Sequence, residues 1–192
     1  MIKSAGSEPF IDIKIHDIPS TAARHAMEAW RLGAGMITVH AQGTRKMMEE
    51  VMKTLDNELD RDRPYVLAVT LLTSIDSRAL SSELLVSRSP IDYVTYLARL
   101  AQLAGVDGVI CSPREAAAVR EMCGDDFLIF TPGIRFSGEK ERDQARVGTP
   151  RGSIASGATG IVMGSDLLKD PVNNIPRALR EIELGLHDYH KK

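Results

Sequence analysis

Gly33-Ala34-Gly35-Met36-Ile37-Thr38-Val39, Gly105-Val106-Asp107-Gly108-Val109-Ile110-Cys111 and Gly157-Ala158-Thr159-Gly160-Ile161-Val162-Met163 are three versions of one joint. In each, a glycine follows an amphipathic run of helix length, and a β-branched run of strand length comes next. Glycine takes up the left-handed conformation that closes a helix without steric cost, and β-branched side chains suit a pleated, buried surface. A joint that recurs in this way implies repeated βα units.

Working outward from these joints, strands are expected at 10–16, 36–41, 65–72, 107–111, 127–131 and 160–164. Helices are expected at 20–32, 45–58, 91–104 and 171–186, with a further one opening at Ser112-Pro113-Arg114-Glu115 and a short one after Thr149-Pro150. Ser112 to Glu115 combines a capping box with proline at the first helical position. Strict alternation implies a parallel sheet, either doubly wound or a (β/α)8 barrel. A complete barrel usually takes about 250 residues and at least about 200. The reading is therefore one domain over 1–192 holding about six βα units of an incomplete barrel, with the other units upstream of the first strand. An opened barrel presents strand edges and apolar surface, so self-association or marginal stability is expected.

Composition narrows the function. The chain has 192 residues, 43% hydrophobic and 26% charged, with net charge −2. That suits a soluble domain with a sizeable core and points away from nucleic acid and from anionic membranes. Cys111 and Cys123 are too few for a disulfide framework and read as buried thiols of a reducing compartment, the cytoplasm. No apolar run is long enough to span a bilayer. The helical methionines Met27, Met47, Met48 and Met52 read as core filler.

In parallel α/β folds chemistry gathers where strands end. The first strand, Phe10-Ile-Asp-Ile-Lys-Ile-His16, places Ile11, Ile13 and Ile15 on one face and Phe10, Asp12, Lys14 and His16 on the other. A carboxylate and an ammonium at that spacing are costly beside an apolar face unless they are used. Thr73, Arg135 and the Gly164-Ser165-Asp166 turn follow later strands, and 135–146 forms a polar loop of a length common in functional lids. His16 and His40 read as structural or supporting groups, and no metal site is expected.

Asp12-x-Lys14-x-x-Asp17-Ile18-Pro19 followed by Thr21 is similar to the signature of the orotidine 5'-phosphate decarboxylases. Val69 to Ser74, Gly108 to Ser112, Thr131-Pro132-Gly133-Ile134-Arg135 and Asp143-Gln144 occur in the same order in bacterial members. The resemblance covers essentially the whole chain. It implies a (β/α)8-barrel enzyme that converts orotidine monophosphate to UMP in pyrimidine biosynthesis without a cofactor. It further implies that Asp12 lies beside the departing carboxylate, that Lys14 stabilises the carbanion and protonates it, and that acids on both sides hold Lys14. By the same resemblance Asp17, Ile18 and Thr21 reach a neighbour's site in a homodimer. Thr73, Arg135, Gln144, Gly164 and Ser165 would contact the substrate. Members usually carry Gly-Arg where this chain has Gly164-Ser165, and their first two strands supply an aspartate and a lysine that would precede Met1. A nucleotide-binding or interaction scaffold derived from the family, or a sugar-phosphate decarboxylase or aldolase of the wider superfamily, remain as alternatives.

Overall fold

The computed structural model describes residues 4, 6–59, 62–137 and 147–191. The order of elements is β1 (Phe10–Ile15), α1 (Pro19–Arg31), β2 (Met36–His40), a 3-10 turn (Ala41–Gly43), α2 (Thr44–Leu59), β3 (Tyr65–Val69), α3 (Ser77–Ser82), α4 (Pro90–Leu103), β4 (Gly108–Ile110), α5 (Ala116–Cys123), β5 (Leu128–Thr131), α6 (Pro150–Ala155), β6 (Gly160–Ile161), α7 (Ser165–Lys169) and α8 (Pro171–Tyr189).

All three glycine joints close in the same way. Gly33, Gly105 and Gly157 have φ of 89°, 80° and 89°. Each donates its N–H three residues back, to Trp30 O, Gln102 O and Ile154 O at 2.7, 3.1 and 2.8 Å. The residue after each donates five back, from Ala34 to Ala29, Val106 to Ala101 and Ala158 to Ser153, at 3.1, 3.3 and 3.2 Å. This double closure is the Schellman motif, which satisfies the last helical carbonyls and turns the chain into the next strand.

Two compact units result, one of Met1–Thr70 with Tyr96–Val109 and the other of Leu71–Thr95 with Ile110–Lys192. In the first, β1 pairs β2 and β2 pairs β3, both parallel. Its core is Ile37, Val39, Val66, Leu67 and Ala68 of the sheet under Ala22, Ala26, Met47, Met48, Val51 and Leu55 of α1 and α2. Asp107 ties β4 to β3 by accepting from Val66 N at 2.7 Å and from Arg63 Nη1 and Nη2 at 2.7 and 2.9 Å. The Asp107 hydrogen bond raises the guanidinium pKa of Arg63 against the opposing effect of burial.

In the second unit β5 pairs β6 in parallel, and Cys111 N donates to Phe130 O at 3.2 Å. Ile129, Ile134, Phe136, Val119 and Ile154 form its core. Arg120 on α5 fans across the unit, donating to the carbonyls of Gly124, Asp125, Phe127 and Gly157 and to Thr159 Oγ1. Cys111 and Cys123 are buried, as expected.

Strands follow one another in sequence order, β1-β2-β3-β4-β5-β6. A doubly wound sheet reverses its order at a switch point, whereas a (β/α) barrel does not. The order therefore selects six successive units of barrel type.

Several expectations are corrected. β1 is not a regular strand: Lys14 has φ 50°, and the register with β2 shifts between Ile11 and Ile15. Ile13 is consequently 52% exposed while Ile15 is 4%, so the three isoleucines do not share a buried face. β3 stops at Val69 rather than 72, and β6 is only two residues long. α5 begins at Ala116, although the expected capping contact forms, with Ser112 N donating to Glu115 Oε2 at 3.0 Å. α3 and α7 were not expected because six and five residues are too few for a periodic signal. Met47, Met48 and Met52 are core residues, and Met27 is half-buried. No helix among the described residues is long and apolar enough to cross a membrane.

Candidate active site

In the first unit the bulge in β1 builds the chemistry. Lys14 Nζ lies 2.6 Å from Asp12 Oδ2. Thr38 Oγ1, from the middle of β2, donates to Asp12 Oδ1 at 2.8 Å and accepts from Lys14 N at 2.9 Å. The threonine thus takes the place of a ladder carbonyl for the bulged residue, and both carboxylate oxygens are engaged. A non-glycine residue at positive φ costs roughly 1 to 3 kcal/mol, and surrounding bonds must hold it there. Thr38 is fully buried and supplies them. Asp12 and Lys14 remain open to ligand, at 46% and 39% side-chain exposure.

Asp17 follows β1 at the turn into α1. Its Oδ1 accepts from Ile18 N at 2.7 Å and braces the turn into α1, where Pro19 occupies the first helical position. Ile18 is 65% exposed and Thr21 is half-buried, with Arg24 Nη2 donating to Thr21 Oγ1 at 3.2 Å. An open cleft of about 660 Å³ lies between residues 16–19 and 42–44. Beside it, the His16 and His40 rings are 5.3 Å apart. Among the described residues, the buried Nδ1 of His40 has no hydrogen-bond partner. Burial lowers the pKa of His40, interaction with His16 and with Lys14 lowers it further, and Asp12 opposes them.

In the second unit, Thr73 is buried just beyond Leu71-Leu72. Arg135, after β5, donates from Nη1 to Ile134 O at 2.8 Å and places Nε 3.9 Å from Asp166 Oδ2. Asp166, in the first turn of α7, is 1% exposed, and its Oδ1 accepts from Lys169 Nζ at 2.9 Å. Gly164 and Ser165 are exposed at the entrance to that helix. Gln144, with Asp143, lies outside the described residues.

The model of the orotidine 5'-phosphate decarboxylase / HUMPS family matches residues 1–182. The chain belongs to that family. An orotidine 5'-phosphate decarboxylase of Geobacillus kaustophilus (strain HTA426) is 44% identical over 184 residues, covering 94% of this chain and 75% of the relative. One from Moorella thermoacetica is 41% identical over 189 residues, covering 96% and 75%. The crystal structure of the Lactobacillus acidophilus orotidine 5'-phosphate decarboxylase superposes with a TM-score of 0.80 at 34% identity, over 94% of this chain and 77% of that one. The chain thus spans about three quarters of the length of these decarboxylases. The sequence signature at Asp12, Lys14 and Asp17 falls in the chain's first unit.

Two features of this decarboxylase-family site escaped the sequence reading. Thr38 was passed over as one residue of a β-branched run, though a hydroxyl at the centre of a buried strand needs a partner. Asp166 reads from the sequence as part of a turn, and its pairing with Lys169, three residues on along a helical turn, carries no sequence signal there.

Proposed function

We propose that this chain decarboxylates orotidine 5'-phosphate to UMP without a cofactor, with Lys14 as proton donor. The observation that carries the proposal is the Asp12–Lys14 pair, 2.6 Å apart on a bulged strand end in a chain of the decarboxylase family. Loss of CO2 from an unsaturated ring carbon breaks a carbon–carbon bond and leaves its electron pair on that carbon with little resonance relief. A fixed ammonium lowers the energy of that charge as it develops, because its orientation is prepaid in the folded protein. Lys14 then gives a proton to the carbon, and the neutral amine recovers one from solvent. Asp12 stands beside the departing carboxylate, where it both positions Lys14 and raises the energy of the bound anion relative to the transition state.

Thr73 hydrogen-bonds the pyrimidine, while Arg135, Gln144, Gly164 and Ser165 face the phosphate. Asp17, Ile18 and Thr21 belong to a surface shared with a second copy. Ile18's exposure, and the cleft beside it, support that arrangement. The enzyme is cytoplasmic, in keeping with its buried thiols. The test is to follow the absorbance of orotidine monophosphate in the presence of the purified chain and to identify the product. Stoichiometric UMP and CO2 are expected; unchanged substrate at high enzyme concentration would refute the assignment.

A further inference from the structure

His40 ends β2, and the decarboxylation gives it no task. Alternate residues of a strand share a face, so His40 follows Thr38 on the face that meets Asp12 and Lys14, about 6 to 7 Å further along. Two contacts across the strands fix that placement: Lys14 N donates to Thr38 Oγ1 at 2.9 Å, and the His16 and His40 rings lie 5.3 Å apart. All these residues belong to the first unit. Among the described residues, the charged and titratable groups acting on His40 are His16, Lys14 and Asp12, and its register partner on β3 is the apolar Val69. His40 Nδ1 is buried and has no hydrogen-bond partner among them. A neutral imidazole can leave that nitrogen as a bare acceptor, whereas an imidazolium carries N–H on both nitrogens. A buried N–H without an acceptor is costly, so a second proton on the ring makes the ring or an acceptor move.

We propose that His40 is a positioning residue for the Asp12–Lys14 pair: neutral, it leaves the pair closed, and once protonated its imidazolium competes with Thr38 and Lys14 for the Asp12 carboxylate and opens it. Both oxygens of that carboxylate are already engaged, Oδ2 by Lys14 Nζ and Oδ1 by Thr38 Oγ1. A cationic donor binds a carboxylate more strongly than a hydroxyl does, so the Thr38 bond yields first. Its loss frees the bulge at Lys14, and a second cation beside that ammonium repels it. Burial, His16 and Lys14 all resist protonation of His40, which sets the change below the ordinary histidine value of about 6.5. The inference rests on the decarboxylase reading for its effect on rate, and on the geometry of the two strands for the rest. A histidine that merely fills space would titrate without disturbing the pair.

The test is an NMR titration of the full chain from pH 8 to 5 that follows the His40 ring, the Asp12 carboxyl carbon and the Lys14 ammonium. Over the same range kcat and KM are measured with orotidine monophosphate. The Asp12 and Lys14 resonances should move with the midpoint of His40, and kcat should fall about tenfold per pH unit below it with KM little changed. His16→Asn removes one influence that lowers His40, so these midpoints should rise together. His40→Asn cannot take up the proton, and the step in Asp12 and Lys14 should vanish from that window. Asp12 and Lys14 resonances that stay flat while His40 titrates in the unaltered chain overturn the proposal and require no variant to fold. A kcat that holds steady through the His40 midpoint, or a step that persists in His40→Asn, overturns it as well. Absence of turnover at every pH sinks the decarboxylase reading instead, and the resonances of the unaltered chain then judge His40 alone.

Discussion

Replacing Thr38 with valine removes one hydroxyl and almost no volume, which makes it a clean probe of how the Asp12–Lys14 pair is held. Thr38 Oγ1 donates to Asp12 at 2.8 Å and accepts from Lys14 N at 2.9 Å. A hydrogen bond to a charged group contributes roughly 1.5 to 3 kcal/mol and one between neutral groups roughly 0.5 to 1.5. Loss of both in Thr38→Val should cost about 2 to 4 kcal/mol of stability in urea denaturation. The effect on catalysis is separate. Asp12 loses one of two anchors, and Lys14 loses the contact that holds it at φ 50°. A displacement of about 1 Å in a reacting group can lower a rate about 100-fold, so kcat should fall roughly 10- to 100-fold with KM little changed. Thr38→Ser retains the oxygen and should stay near the parent in both measurements. If Thr38→Val turns over at the parental rate, the hydroxyl does not position the pair and the account of the bulge is wrong.

His40 gives a pH-dependent prediction. Its folded pKa is below the ordinary value of about 6.5, chiefly because it is buried. The unfolded chain therefore binds the proton first as pH falls, and the stability that His40 contributes above the unfolded pKa drains away as pH falls toward the folded one. Urea midpoints should drop between about pH 7.5 and 5.5, and His40→Asn should show a shallower drop over the same interval. Arg120→Lys keeps the charge but cannot reach the carbonyls of Gly124, Asp125, Phe127 and Gly157 together. It should lower stability by about 2 to 3 kcal/mol through carbonyls left without a donor, read from the denaturation midpoint.

The joints made the fold legible. Gly33, Gly105 and Gly157 announce helix ends because only glycine enters the left-handed region freely, and all three do so. The strand order could not be read locally, since doubly wound and barrel sheets share the same βα pattern and differ only in which edge the next strand joins. At the site, Asp12 and Lys14 were legible from their cost on an otherwise apolar strand. The manner of their meeting was not. Strict alternation would place them 2 residues apart on one face of a regular strand, whereas the structure bends the backbone at Lys14 and fills the gap with Thr38 from another strand. Such a substitution of side chain for ladder leaves no periodic trace. Asp17, expected at a surface shared with a second copy, has its carboxylate bracing the turn at Ile18, where the chain reverses into Pro19.

The most direct test of the central claim is the rate of orotidine monophosphate consumption by Lys14→Ala beside the unaltered chain, with folding of both checked by circular dichroism. Without the ammonium there is neither a proton to deliver nor a charge to meet the carbanion, so turnover should fall by at least about four orders of magnitude. A folded Lys14→Ala protein that still forms UMP within tenfold of the parental rate would contradict the account.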